Sequence, residues 1–501
     1  MRAAGCRLAR VGVRAWVSVA AIATAMPAHA DEREDRSRNE VVFDTSAQFY
    51  DVRSPSGETV LARRRLTSTI AARATDLVDR RYGELSFRAR ARFDADFGRG
   101  GEETNPNDTS SFVPGFARTG GDLMYAYLEG RKLGVDWFAF RLGRQYVTDA
   151  LGFWSFDGGY VQLASHLPVA LELYGGLEQR GGFPFSTSRY EAQGAYRGSR
   201  RGFDDALYPS FEDAHVAPAF GAGIETNNIS FIHARATYRH VLNTGSFHPD
   251  PFSATTMNIG SRTSSERLGF SADSSREKVG AVHALMTYDL FRSLIDSARV
   301  SVDAFATKKL ILGVDFEHLR PFYDGDSIWN FFAGEPTDTL SGRVSYTIND
   351  AWSASIGGGG RVFRSEEATV AIDERLAAQF PTTGHSFAAQ GYAHLRHRTH
   401  TMAHGISTRF NIGEQGDRTG LDLFASRTIA SRWLLDARGS AFHFRDRLRE
   451  DRDATSLGLI ASVGYRISER TTTTLEDQLE TNRLIGVRNR FVVWLKVGVD
   501  P

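Results

Sequence analysis

Between Leu85 and Phe97 apolar and polar positions alternate without a break. Leu85, Phe87, Ala89, Ala91, Phe93, Ala95 and Phe97 fall on one side, and Ser86, Arg88, Arg90, Arg92, Asp94 and Asp96 on the other. A period of two sends successive side chains to opposite faces of a strand and matches no helical stripe. The run exceeds the roughly 5–6 residues of an ordinary soluble strand and meets the roughly 9–11 that a tilted strand needs to cross a bilayer. An apolar face toward lipid and an arginine-rich face toward water is the arrangement of a transmembrane β-barrel.

The pattern recurs. Ile232, Ala234, Ala236 and Tyr238 alternate with His233, Arg235, Thr237 and Arg239, and Leu340, Val344, Tyr346 and Ile348 with Ser341, Arg343, Ser345 and Thr347. Ile406, Phe410 and Ile412 alternate with Ser407, Arg409 and Asn411; Leu457 to Tyr465 and Phe491 to Val497 repeat the rule. Each segment is a weak signal, as barrel strands are, and their repetition is what predicts an all-β chain.

Connections of two lengths join these segments. Arg131-Lys132-Leu133-Gly134, Asn349-Asp350 and Arg398-Thr399 read as tight periplasmic turns. Gly98 to Thr119, Gln179 to Ala217, Leu242 to Glu277 and Ser365 to Gly384 are rich in Gly, Ser, Thr, Asn, Asp and Pro and read as long extracellular loops. At roughly 25 residues per strand with its connection, a single antiparallel barrel over residues 41–501 holds about 18 strands, within about 16–20.

The N-terminus predicts export. Arg2, Arg7, Arg10 and Arg14 precede an apolar stretch from Ala15 to Met26, and Ala28-His29-Ala30 supplies the small residues of a cleavage site, so residues 1–30 read as a signal peptide. Residues 31–40 form a charged, mixed-sign periplasmic leader. Cys6, the single cysteine, lies within the signal, which leaves the mature chain without a disulfide or a thiolate metal site. The 41% hydrophobic content fits a barrel, half of whose strand positions face water, and no apolar run after the signal reaches spanning-helix length. The outer membrane is the expected location.

Charge excludes some partners. Sixty basic residues balance sixty acidic ones, which gives no argument for nucleic acid. Only five lysines, Lys132, Lys278, Lys308, Lys309 and Lys496, stand among them, so the basic set is almost wholly arginine. Arginine forms paired hydrogen bonds to carboxylate, phosphate and sulfate; a codon bias produces the same excess. Candidate chemistry is sparse. His394, His397, His400 and His404 surround a proposed turn, but alternation sends only some of them to one face, and Asp324-Gly325-Asp326 reads as a turn that lacks the rest of a calcium loop. No nucleophile elbow, zinc-protease helix or phosphate-binding loop is present, so the chain reads as neither an enzyme nor a cofactor carrier. Among the aromatics, Trp137, Phe138, Phe140, Tyr125, Tyr127 and Trp433 are expected in interfacial girdles, and Tyr392 and Phe424 inward.

Phe140-Arg141-Leu142-Gly143-Arg144-Gln145, followed by Trp154-Ser155-Phe156-Asp157-Gly158 and Tyr160-Val161-Gln162-Leu163, reads as a strand, a loop and a returning strand. A strand ending Leu-Gly-Arg-Gln before an aromatic-Asp-Gly turn resembles the alginate-export family of outer-membrane barrels, most strongly across Gly121 to Gly176. The chain departs from such barrels in ending Val499-Asp500-Pro501, without a terminal aromatic. The resemblance implies that Arg141, Arg144 and Gln145 line the pore near a constriction, with Asp157 pairing an arginine across the lumen; a salt-bridge ladder stapling the hairpin is the structural alternative. With Arg88, Arg90, Arg92, Arg235, Arg239, Arg343 and Arg409 these form the expected substrate path. The function expected is passive passage of a hydrophilic polymer, a secreted polysaccharide, delivered by a periplasmic export machine. The alternatives are a general or solute-selective porin and a secreted all-β adhesin that does not enter the bilayer.

Overall fold

The computed structural model describes residues 39–97, 119–164, 168–179, 217–227, 229–243, 262–320, 336–364, 386–414, 416–446, 451 and 453–499. The signal segment, the leader up to residue 38, most of the long connections and Asp324-Gly325-Asp326 lie outside these residues. The strands are β1 (Asn39–Arg53), β2 (Thr59–Ala74), β3 (Glu84–Asp96), β4 (Thr119–Arg131), β5 (Phe138–Asp149), β6 (Gly152–Leu163), β7 (Val169–Glu178) and β8 (Ala217–Thr226). They continue as β9 (Ile232–Asn243), β10 (Arg262–Arg276), β11 (Gly280–Asp289), β12 (Leu294–Phe305), β13 (Leu310–Leu319), β14 (Thr337–Thr347) and β15 (Trp352–Phe363). The last are β16 (Ser386–Arg398), β17 (Met402–Gly413), β18 (Gly416–Ile429), β19 (Trp433–Asp446), β20 (Ala454–Arg466), β21 (Thr471–Asn482) and β22 (Gly486–Val499).

Each strand pairs antiparallel with its neighbours in sequence, and β1 pairs with β22 from Val41↔Val499 to Arg53↔Val487. The sheet is therefore a closed barrel with no free edge, the one sheet form in which a membrane-crossing backbone satisfies its own hydrogen bonds. The wall has 22 strands among the described residues, more than the expected count of about 18. Two features account for the difference. Several connections on the long-loop rim are themselves short, such as Ala150-Leu151 between β5 and β6 and 483–485 between β21 and β22. The expected loop from Leu242 to Glu277 also contains a strand, β10, whose polar sequence hid it: Leu268, Phe270 and Ala272 are its only large or alternating apolar positions, and ladders from β9 and β11 hold the rest. Asn39 and Glu40, expected in the leader, begin β1.

Connections alternate between two rims, as in any up-and-down barrel of even strand number. The described strand ends that flank 98–118, 180–216, 244–261, 321–335 and 365–385 all lie on one rim. The expected tight turns at Arg131, Asn349 and Arg398 all fall on the other, where Lys132 (φ 53°) and Gly134 (φ 75°) take the left-handed conformation that a tight reversal needs. In the β2–β3 connection on this rim, Arg81 donates to the Asp79 carboxylate and holds its pKa below the ordinary range.

The two faces differ as alternation requires. In β7, Ala170, Glu172 and Tyr174 are buried, whereas Leu171 and Leu173 are 48% and 55% exposed. Outward Leu142, Phe220, Val314, Ile356, Phe410 and Leu459 repeat this around the circumference. A continuous apolar girdle of this kind is stable against lipid and unfavourable in water, which argues against the adhesin alternative. Trp137, Phe138 and Phe140 pack near the tight rim, where Trp433 meets Tyr465 with ring centroids 4.5 Å apart and His397, His404 and Trp352 form a second outward ring cluster. Tyr127 departs from the girdle expectation: paired with Arg88 and Gly143, it is buried on the inner face, and Tyr125 pairs with Arg90 on that face. No group of three or more His, Cys, Asp and Glu side chains arranged to hold a metal occurs among the described residues.

Candidate functional site

The inner face is rich in arginine opposed by carboxylates. Arg88 lies 3.5 Å from Glu129, Arg92 2.7 Å from Asp94, and Arg90 donates to the Thr69 hydroxyl at 3.3 Å. Across the barrel, Arg343 of β14 binds both oxygens of Asp303 on β12, and Arg409 binds Asp422 while covering the Phe442 ring at 4.8 Å. Tyr392 pairs with Arg409 and Phe424 with Arg438, so both fall on the inner face.

The inner face is not an open cylinder. At a ladder spacing of about 4.8 Å, β5 and β9 are roughly 19 Å apart along the wall. Nonetheless Arg239 on β9 binds Asp149 at the end of β5 at 2.9 Å and covers the Trp154 ring at 5.1 Å, and on the same face of β9 Arg235 ion-pairs with Glu172. A Cβ on Gly269 of β10 would sit 3.0 Å from the Ala150 Cβ and 2.9 Å from the Leu151 Cγ. The β5–β6 hairpin thus parts from β4, while β6 stays laddered to β7 as far as Phe156↔Glu178, and leans across the lumen until its tip touches β10.

Sequence makes this lean possible at two places. The β4–β5 ladder runs from Arg131↔Ala139 only to Ala126↔Arg144, although both strands continue beyond it. Gly143, next to the last rung, has φ +122°, and a Cβ there would lie 2.3 Å from the Ala126 carbonyl oxygen, so only glycine fits the bend. Beyond the hinge an aromatic core holds the hairpin. Trp154 and Phe156 stack at 4.2 Å with no exposure and pack with Tyr160, Tyr174, Val147, Ala217, Ala219 and Val241. The polar edges of these rings are satisfied: Trp154 Nε1 donates to Glu178 and Tyr160 Oη to Glu172, each at 2.7 Å. Arg141 covers the Tyr160 ring at 4.2 Å.

This geometry corrects three of the expected pore-lining positions. Arg144 and Asp157 pair with each other, Nε to Oδ1 at 2.7 Å and Nη2 to Oδ2 at 2.9 Å, and not across the lumen. They share the outward face with Leu142 and Leu177, because neighbours on a strand point in opposite directions and Arg141 and Gln145 already point inward. Arg144 Nη1 also donates to the Leu123 carbonyl at 3.0 Å, filling the place of the rung that β4 and β5 do not form. Gln145 faces inward but is fully buried; its amide donates to the Arg141 and Gly158 carbonyls. The stapled-hairpin alternative describes Arg144 and Asp157 better than the lumenal one. Arg88, Arg90, Arg92, Arg141, Arg235, Arg239, Arg343 and Arg409 lie on the inner face. Attention to arginine alone passed over Asp149, Glu172 and Asp296, the buried acids that hold Arg239, Arg235 and Arg267. Glu172 was legible as a charge alternating with Leu171 and Leu173.

With the hairpin on one side, the free lumen lies against β17–β22 and β1. A cavity of about 1330 Å³ there is lined by Tyr50, Arg418, Arg438, Phe442, Arg488 and Arg490 among others.

No family model matches the chain, so the resemblance to the alginate-export family gains no support. No protein of described function matches it either. Among solved structures the chain is similar to OccAB4 of Acinetobacter baumannii, with TM-score 0.42, 7% identity, and coverage of 94% of this chain and 100% of that one. It is similar to OpdK of Pseudomonas aeruginosa, solved with vanillate, with TM-score 0.41, 8% identity, and coverage of 92% and 98%. For OccD3 of the same organism the TM-score is 0.40 at 8% identity, covering 92% of this chain and 91% of that one. Likenesses this weak carry no inference about substrate. The ladders, the closure of β1 on β22 and the outward apolar girdle are what make this chain a transmembrane β-barrel of the outer-membrane type.

Proposed function

We propose that the protein is an outer-membrane channel for small hydrophilic solutes, taken inward by passive diffusion. The observation that carries this reading is the β5–β6 hairpin, which crosses the lumen and leaves a side passage walled by arginine and carboxylate. Opposed charges keep such a passage wet and orient a polar solute, while the packed aromatic hairpin limits its size. Arg88, Arg90, Arg92, Arg141, Arg235, Arg343 and Arg409 are the residues proposed to face the path, and Arg239, buried under the hairpin, holds its wall.

Polysaccharide export is the weaker reading. A polymer chain needs a continuous wide bore, and the in-folded hairpin argues against one; the export machine proposed as its partner loses its basis with it. The two readings part in planar bilayers, with polyethylene glycols of rising size added as blockers. A small-solute channel conducts in defined steps, and only the shortest polymers enter and lower its conductance. Entry of long polymers would restore the export reading, and failure of the refolded chain to insert would overturn the channel altogether.

A further inference from the structure

We propose that the β5–β6 hairpin is a gate with two seats, hinged at Gly143 and latched across the lumen by Arg239 and Asp149. The proposal rests on the channel reading and goes beyond it, since a channel with a fixed constriction needs no second seat. In the seat described above, the tip lies against Gly269, Asp149 is held by Arg239, and Arg235 donates to the Thr148 carbonyl as well as ion-pairing with Glu172.

The second seat is the place beside β4 that the upper part of β5 has left. Beyond Ala126↔Arg144 the upper part of β4 pairs with β3 on one side and has no rung to β5 on the other. Three features mark this edge as a place that a strand can occupy. The Leu123 carbonyl, which a continued ladder could engage, accepts from the Arg144 guanidinium instead. The Asp122 carboxylate lies 3.8 Å from Arg144, and its buried oxygens accept no hydrogen bond among the described residues. Tyr125 on β4 touches Tyr146 on the back of the hairpin at 6.0 Å, an edge-to-face contact between side chains where a ladder would run. A buried carboxylate without donors and a ladder replaced by side chains are costs of the in-folded seat. Rotation about Gly143 relieves both while breaking the Arg239–Asp149 latch and drawing Trp154 and Phe156 away from β8 and β9. The in-folded seat also keeps the Trp154–Phe156 core, so it is the resting seat, and the wall seat is a minor position favoured by the open edge of β4 and the Asp122 carboxylate.

A cysteine pair tests the gate. In a chain carrying Cys6→Ser, Ala150→Cys and Gly269→Cys bring two Cβ atoms to 3.0 Å, so a movement of a few tenths of an ångström reaches the roughly 3.5–4.5 Å of a disulfide. Single-channel conductance in planar bilayers is recorded oxidised and then reduced. The expected result is one small conductance level when oxidised, and switching between that level and one at least about twofold larger after reduction. Asp149→Asn, which needs no cross-link, is expected to raise the fraction of time in the larger level several-fold. Equal levels and equal switching in the oxidised, reduced and Asp149→Asn chains would overturn the gate and leave a static channel standing. Failure of the disulfide to form in membranes would overturn the in-folded seat itself. Absence of conductance in every chain, the unaltered one included, would overturn the channel reading and the gate with it.

Discussion

Arg144 shows how one side chain can face the wrong way for its expected task and still be essential. Its guanidinium binds both oxygens of Asp157 and the Leu123 carbonyl, tying β4, β5 and β6 together at the height where the ladder stops. The pair lies on the back of the hairpin beside β4, where Asp122 is 3.8 Å from the same guanidinium, so removing Asp157 leaves Arg144 a second carboxylate, whereas removing Arg144 leaves two carboxylates without their shared cation. Arg144→Met is expected to cost about 1–3 kcal/mol of stability and Asp157→Asn less, because Asp122 remains beside the guanidinium. The double change should cost no more than Arg144→Met alone, clearly less than the sum of the two. Urea unfolding of the barrel in vesicles measures all three.

At the scale of the element, the β5–β6 hairpin differs from the other hairpins of the wall in what buries it. Elsewhere the outward face meets lipid and the inward face meets lumenal water. Here Trp154 and Phe156 are completely enclosed by β7, β8 and β9. Trp154→Ala removes the ring that stacks on Phe156 and lies under Arg239, with an expected cost of about 3–5 kcal/mol and a rise in conductance as the constriction loosens. Gly143→Ala acts at the hinge. Its methyl group would press on the Ala126 carbonyl in a conformation that L residues avoid, costing about 1–3 kcal/mol and weakening the last rungs between β4 and β5. Faster amide exchange at Ala126 and Leu128 than in the parent chain would register that loss; unchanged exchange would show that the bend does not depend on glycine.

For the molecule as a whole, closure and alternation make a prediction about depth and side. Ile356 near the middle of β15 is 61% exposed on the outer face, and its neighbour Ser355 faces the lumen opposite His394. Ile356→Arg is expected to cost about 2–4 kcal/mol in bilayers, and Ser355→Arg about 1 kcal/mol or less, since one charge enters lipid and the other water. Equal costs would mean that the outer face of β15 does not contact hydrocarbon.

Strand identity, face and the assignment of long connections to one rim were legible in the chain itself, because a period of two needs no partner to be read. Leu85 to Asp96, Ile232 to Tyr238 and Leu340 to Thr347 each lie in a strand with the expected sides, and the expected runs overshoot by one residue at Phe97 and at Ile348. Strand number was not legible, since β10 has little apolar alternation of its own and depends on rungs from β9 and β11. The site was legible only as an inventory of arginines. Which carboxylate meets which arginine, and that Arg144 and Asp157 turn outward together, depend on register between strands. The in-folding of the hairpin depends on contacts between its tip at Ala150-Leu151 and Gly269 of β10, more than a hundred residues apart in sequence. Local alternation is written in neighbouring residues and survives in any context; where a hairpin rests is decided by the difference between two sets of tertiary contacts, and only the folded barrel brings those sets together.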